Sequence, residues 1–198
     1  MFVTFEGLDG SGKSTQAELL AEHLRGLGHE AVLTREPGGT ELGERVRELL
    51  LSGEDISAWA EAALFASARA ELVERVIRPA LDRGADVICD RYLDSSLAYQ
   101  GIARGLGVGR VLELNRPAIG DLLPDLTFLL LVDPEVAVKR AGADPDRIER
   151  EGAEFRAEVD RAYRELAGAF AGRIVALDGS RPATEIAERV AEQVRQRS

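Results

Sequence analysis

Two hydrophobic rhythms alternate along this chain. Short, nearly unbroken apolar runs occur at Phe2-Val3-Thr4-Phe5, Ala31-Val32-Leu33-Thr34, Asp86-Val87-Ile88-Cys89, Thr127 to Val132 and Arg173-Ile174-Val175-Ala176-Leu177. Runs of this length read as strands buried on both faces. Between them lie longer stretches with apolar residues at helical spacing. One helix is predicted from about Lys13 to Leu27, stopped by Gly28, and another carries Leu42, Val46, Leu49 and Leu50. A third extends from the N-cap candidate Ser57 to Arg83, with Ala60, Ala63, Ala66, Ala70, Val73, Ile77 and Leu81 at the periodic positions and Gly84 as its stop. A fourth is predicted from about Ile148 to Phe170, and a last one follows Pro182. Strands separated by helices imply one α/β domain over residues 1–198, a five-stranded parallel sheet flanked by helices in three layers.

Composition agrees with a packed core. Of the 198 residues 45% are hydrophobic and 30% charged, which excludes a disordered tail or a fibrous chain. The 25 basic and 35 acidic residues give a formal net charge of −10, a surface that repels nucleic-acid backbones. A single cysteine, Cys89, can make no internal disulfide. The start, Met1 to Phe5, turns polar at Glu6 without a signal-type run, and the strongest apolar run is too short to span a bilayer, so no membrane association is expected. The expectation is a soluble cytoplasmic protein. Lys13 and Lys139 are the only lysines, which draws notice to both.

Lys13 lies in Gly7-Leu8-Asp9-Gly10-Ser11-Gly12-Lys13-Ser14, which fits GxxxxGK[ST] between a strand and a helix. Glycines let the backbone wrap a phosphate with its N–H groups inward. The helix dipole and the Lys13 charge assist, and the Ser14 hydroxyl suits magnesium. That context makes the fold a P-loop NTPase type without choosing among such proteins. Asp90 should emerge at the carboxyl end of the third strand, where open α/β sheets bind ligands. It is a magnesium candidate, or else a strand-end cap paired with Arg91. The Asn/Thr-Lys-x-Asp signature of guanine readers is absent from the sequence, and His23 and His29 lie outside every motif.

The phosphate loop, then Thr34-Arg35-Glu36-Pro37-Gly38-Gly39-Thr40, Asp90-Arg91-Tyr92, Ala98-Tyr99-Gln100-Gly101 and Asp146-Arg147-Ile148-Glu149 together resemble the thymidylate kinase family. The resemblance covers almost the whole chain in order. It implies a magnesium-dependent transfer of the ATP γ-phosphoryl group to thymidine monophosphate (dTMP), giving the diphosphate (dTDP) for dTTP biosynthesis, by a homodimer. The resemblance also implies residue roles. ATP would be held by Gly7 through Thr15, that is Gly7, Leu8, Asp9, Gly10, Ser11, Gly12, Lys13, Ser14 and Thr15, together with Arg140 and Arg181. Around dTMP would lie Asp9, Arg35, Pro37, Phe65, Arg69, Arg91, Ser96, Tyr99 and Gln100. Phe65 and Arg69 stand one helical turn apart, so they share a face. The resemblance stacks that ring on thymine and aims the guanidinium at a base oxygen. Taken singly, Phe65 would read as core and Arg69 as a surface arginine. Tyr92 is either core or site.

Metal ligation is expected of Ser14, Asp90 and Asp9. The phosphate loop contains no arginine, so the resemblance is to members with a catalytic arginine in a lid, here at about 140–151. Arg147 stands in the best-matched lid motif and is the catalytic candidate beside Lys13, Arg91 and Asp9, with Arg140 as the alternative. Arg150 reads as solvated. A related kinase for another monophosphate and a non-catalytic nucleotide switch remain the competing readings. The pairing of Phe65, Arg69, Arg91 and Tyr99 as a second nucleotide pocket argues against the switch.

Overall fold

The computed structural model describes residues 1–52, 55–142 and 145–197. Ala143 and Asp144 of the expected lid stretch lie outside the described residues. The five strands are β1 (Phe2–Glu6), β2 (Ala31–Arg35), β3 (Asp86–Asp90), β4 (Leu126–Leu131) and β5 (Ile174–Asp178). They form one parallel sheet in the order β2-β3-β1-β4-β5. The order reverses direction at β1, so the carboxyl ends of β1, β3 and β4 open a crevice. β1, β3 and β4 are buried almost throughout, as expected, whereas the edge strands β2 and β5 are only partly covered, with Leu33 exposed. Strand alternation sends Phe2 to one core layer and Val3 and Phe5 to the other.

The helices are α1 (Lys13–Gly26), α2 (Glu41–Leu51), α3 (Ala58–Leu72), α4 (Arg78–Asp82), α5 (Leu93–Ser96), α6 (Val108–Ile119), α7 (Pro134–Ala141), α8 (Ala153–Ala169) and α9 (Ala183–Arg195). Ser57 does cap α3, accepting a hydrogen bond from the Ala60 N–H. The helix then passes through a π-turn at Val73–Ile77 into α4. Pro79 supplies no N–H and crowds the preceding turn, a conflict that a wider turn just before it relieves. Within α3 the expected alanine stripe is buried only in part. Ala60 and Ala63 face solvent, while Glu61, Ala62, Ala66, Ala68, Arg69 and Leu72 are buried. The helix expected from Ile148 is also interrupted. A short 3₁₀ turn at Glu149–Glu151 ends at Gly152, whose φ of 97° breaks the ladder before α8 begins. A second π-turn, Leu97–Ala103, continues α5.

Phe5 and Phe128, from adjacent strands, stack with ring centroids 5.3 Å apart at the centre of one core layer. Phe128→Ala should therefore cost about 3–5 kcal/mol through lost burial and a residual cavity. Guanidinium denaturation would show this as a lower midpoint with an unchanged slope. A loss below about 1 kcal/mol would mean that the layer collapses into the space.

Candidate active site

The phosphate loop follows β1 directly. Gly12, in the left-handed region at φ 95°, caps α1 without a side-chain hydrogen bond, leaving the first-turn N–H groups available to an anion. A Cβ at Gly10 would lie 2.1 Å from the Ala137 carbonyl oxygen, so the loop passes too close to α7 for any other residue. Ser14 and Thr15 are exposed on the first turn. The Lys13 ammonium donates to the Leu8 carbonyl at 3.2 Å and to Asp9 Oδ1 at 2.9 Å. Arg91 Nη2 donates to the same Asp9 oxygen at 2.7 Å. Two cations from separate motifs thus converge on one oxygen atom. Burial pushes the Asp9 carboxyl up, but Arg91 and Lys13 outweigh it and hold the group well below the usual carboxylate range.

Arg91 follows β3 at φ 69°, a conformation most side chains avoid. Its N–H is held by the Phe5 carbonyl at 2.9 Å. Glu6, at the end of β1, anchors the rest of the turn. Its Oε1 accepts from the Tyr92 N–H at 2.9 Å and the Ser95 N–H at 3.3 Å. Its Oε2 accepts from the Ser95 hydroxyl at 2.6 Å and the Tyr163 hydroxyl at 3.0 Å. Those hydroxyls, their protons turned to Glu6, each accept from Arg91 Nη1 at 3.1 Å. Glu6 therefore aims Arg91 through two intermediaries. Burial and the neighbouring Asp94 push the Glu6 pKa up to about 7, against the pull of Arg91, Ser95 and Tyr92.

Beside this cluster lies an open cleft of about 490 Å³. Asp9, Pro37, Phe65, Arg91, Ser96, Tyr99 and Gln100 line it, as the sequence led one to expect. Glu36, Arg47, Leu51, Ser95, Asp146 and Ile148 complete the wall. The arrangement offers a flat ring, an amide, hydroxyls and a cation, the groups that suit a pyrimidine nucleotide. Tyr92 belongs to the core, with its hydroxyl on the Leu122 carbonyl at 3.1 Å.

Two roles expected at the cleft differ here. Arg35 turns away from the cleft to Glu44, at 3.0 Å, because successive residues at the end of β2 point to opposite faces. Glu36 takes the inward direction, and Arg47, which donates to the Pro37 carbonyl at 3.1 Å, joins Arg91 on the cleft wall. Arg69 is 1% exposed and lies behind the cleft. Its five N–H donors go to Glu36 Oε2 twice, the Tyr92 carbonyl, the Ser96 hydroxyl and Asn115 Oδ1. Its partner Glu36 retains a buried Oε1 without a hydrogen bond. Burial pushes the Glu36 carboxyl up, with Arg69 pulling it back.

Arg147 is the largest correction. It does not reach the phosphate loop. Its Nε donates to the Leu50 carbonyl at 2.8 Å and its Nη2 to Glu61 Oε2 at 2.5 Å. Two attractions explain the placement: the unpaired carbonyls at the C-terminus of α2 and a buried carboxylate that needs cations. Arg140 donates to the Gly179 carbonyl at 2.8 Å, joining α7 to the loop Asp178–Pro182. Exposed Arg181 lies 3.6 Å from Asp178 and 3.8 Å from Glu185. Arg150 is exposed, its side chain on the Pro145 carbonyl. Arg156, which no motif singled out, lines a second cavity, of about 530 Å³, with Asp9, Tyr99 and Gly142.

The metal candidates separate into two places. The Ser14 hydroxyl makes a short hydrogen bond to Asp90 Oδ2, and Asp90 Oδ1 is buried without a partner. Asp9 is instead occupied by Lys13 and Arg91. No cluster of three or more His, Cys, Asp or Glu side chains able to hold a metal exists among the described residues. One carboxylate and one hydroxyl at a phosphate cradle fit a magnesium ion that takes its other ligands from phosphate and water.

Comparison with known proteins converges on one family. The family model described as Thymidylate kinase matches residues 5–190. A thymidylate kinase of Leifsonia xyli subsp. xyli is 52% identical over 194 residues, covering 96% of this chain and 92% of its own. One from Synechococcus sp. (strain JA-3-3Ab) is 48% identical over 190 residues, 96% of this chain and 93% of its own. The crystal structure of thymidylate kinase from Ehrlichia chaffeensis superposes with a TM-score of 0.82 at 35% identity, over 98% of each chain.

The Glu6 network carries a pH signature. A carboxyl raised from about 4.5 to about 7 binds its proton more tightly in the folded chain than in the unfolded one. Its stability contribution is complete below about pH 4.5 and is lost as pH rises through about 7. The groups facing it are Asp94, Arg91, Tyr163 and Ser95, and Arg173 stands on Asp94 at 2.6 Å. Glu6→Gln should remove that dependence, so its stability relative to the parent should rise by of the order of 2 kcal/mol between pH 5 and pH 8. Denaturant titrations at the two pH values measure it, and equal pH slopes for parent and variant would refute the assignment.

Proposed function

The chain belongs to the thymidylate kinase family and is a phosphotransferase that moves the γ-phosphoryl group of ATP to dTMP, and we propose how its residues divide that work. The observation that carries the proposal is the convergence of Lys13 and Arg91 on one Asp9 oxygen, at 2.9 and 2.7 Å. Lys13 and the start of α1 hold the donor phosphates, and Arg91 holds the acceptor phosphate. The transferring group passes between them. Its transition state spreads negative charge over three oxygens, so positioning and charge compensation supply the catalysis. A phosphate acceptor that is already ionised needs no general base.

Ser14 and Asp90 would hold magnesium, which supplies charge neutralisation at the donor phosphates when bound. The thymine ring lies on Phe65 and Pro37, with Ser96 and Gln100 at its edge and Tyr99 beside the sugar. The Arg140-to-Gly179 contact supports an adenine position between α7 and the Asp178–Pro182 loop. With Arg147 committed to Glu61, Arg156 takes the lid-side cationic role, because it shares a cavity with Asp9. A homodimer belongs to the same proposal: exposed Leu42 and Leu49 stand about two turns apart on one face of α2. No described helix is long and apolar enough to cross a membrane, and Cys89 is a buried free thiol, which supports a cytoplasmic setting.

A coupled assay with ATP, magnesium and a panel of nucleoside monophosphates tests the assignments. The parent should favour dTMP. Lys13→Ala should lower turnover about a hundredfold to a thousandfold while the fold persists. A variant within about threefold of the parent would remove Lys13 from the reaction. For Arg156→Ala the expected loss is at least about tenfold in kcat with little change in either KM, as for an interaction made in the transition state. If KM for dTMP rises instead and kcat holds, Arg156 is a binding residue and the lid role passes to Arg140.

A further inference from the structure

Glu61 lies in the first turn of α3, is 1% exposed and belongs to no recognised motif. Four side chains meet there. Gln100 Nε2 donates to its Oε1 at 2.9 Å. Arg104 donates to Oε1 at 3.3 Å and to Oε2 at 3.1 Å, and Arg147 donates to Oε2 at 2.5 Å. Arg104 also pairs with Glu151 at 2.6 Å. Two carboxylates and two guanidinium groups thus close a neutral cluster. Burial pushes the Glu61 carboxyl up, but the hydrogen bonds from Gln100, Arg147 and Arg104 outweigh it and hold the pKa below the usual value. Glu61 is therefore ionised, and an ionised carboxylate only accepts hydrogen bonds.

That restriction passes to the cleft. A primary amide has a donor end and an acceptor end, and Glu61 can bond only the donor end of Gln100. Gln100 lines the cleft with Phe65 and Ser96, and its amide oxygen, which Glu61 cannot bond, is the acceptor it can offer to a ligand. An acceptor in that place complements a pyrimidine carrying N3–H, as thymine and uracil do. It opposes cytosine, whose N3 offers a lone pair. We propose that Glu61 is a positioning residue for base recognition, which holds Gln100 in the acceptor orientation and so rejects cytosine. The inference rests on the reading of this cleft as the dTMP site.

Glu61→Gln keeps the shape but lets the new amide either donate or accept, which frees Gln100 to turn. The ratio of kcat/KM for dTMP over deoxycytidine monophosphate should fall by about tenfold or more, with KM for dTMP raised and KM for ATP unchanged. Gln100→Leu, which leaves Glu61 on both arginines, should lower the ratio similarly. Adding Glu61→Gln to Gln100→Leu should lower it no further, because the glutamate acts through the amide. A merely structural glutamate would lower both kcat/KM values alike and add its effect in the double variant, which overturns the proposal. Should Glu61→Gln fail to fold, Gln100→Leu decides alone: a ratio within about threefold of the parent overturns the proposal. A parent that does not use dTMP overturns the reading of the cleft instead, and the two failures are told apart by that control.

Discussion

Arg91 leaves β3 in the left-handed region, and the site is built around where its guanidinium then lies. A cation aimed at a phosphate needs to be held without being quenched. Direct pairing with Glu6 would cancel its charge, and open solvent would let it wander. The structure uses neither. Glu6 receives the Ser95 and Tyr163 protons, and those hydroxyl oxygens turn to Arg91 Nη1. Glu6 thus orients the guanidinium through dipoles while remaining one group away. Nη2 alone meets a carboxylate, Asp9, whose same oxygen also serves Lys13. Two positive charges on one negative charge leave a surplus where phosphate is expected. That surplus is the electrostatic basis of the site.

The sheet delivers these groups because of its strand order. β1 lies between β3 and β4, so Glu6 at its end reaches Tyr92 and Ser95 beyond the end of β3. The next residues of β1 become the phosphate loop, and Arg91 N–H returns to Phe5. Lys13 and Arg91 are far apart in sequence yet leave neighbouring strand ends. The stacked Phe5 and Phe128 below them hold the strands together, so core packing and site geometry are the same constraint seen at two depths.

What could be read in the sequence was what is local. The phosphate loop is contiguous and sits between an apolar run and a helix, so Lys13 and Ser14 were legible with their chemistry. The five strands were legible because buried strands are short and apolar. In α3 the signal held only in part, since alanine is tolerated inside and outside alike. The periodic alanines suggested one buried face, and the structure also buries Glu61 and Arg69. A buried carboxylate and a buried arginine look like surface residues until their partners are known. Those partners, Arg147 and Glu36, are separated from them by 86 and 33 residues. The motif of Arg147 points to the lid. Its destination was decided by Glu61 and by the open carbonyls ending α2, which no local pattern announces. Arg35 and Glu36 could have been separated by strand alternation, since one of two successive residues must point inward.

The chain carries a formal net charge of −10, yet its proposed ligands are anions. Compensation is local for the arginines buried behind and beside the cleft. Arg69 is matched by Glu36, and Arg104 and Arg147 by Glu61 and Glu151. Arg173 is matched by Asp94. Each of these pairs is buried or partly so, where an unmatched charge would cost several kcal/mol. The pairs give shape to the cleft without adding to its field. The field comes from Lys13 and Arg91 sharing one Asp9 oxygen, supplemented by Arg47, which spends its hydrogen bond on a neutral carbonyl. Distant carboxylates weaken that field little, because opposing surface charges beyond about 8–10 Å are screened by salt. A strongly acidic protein can therefore hold two phosphorylated ligands, provided its arginines are sorted into those that are paired and those that are left in excess.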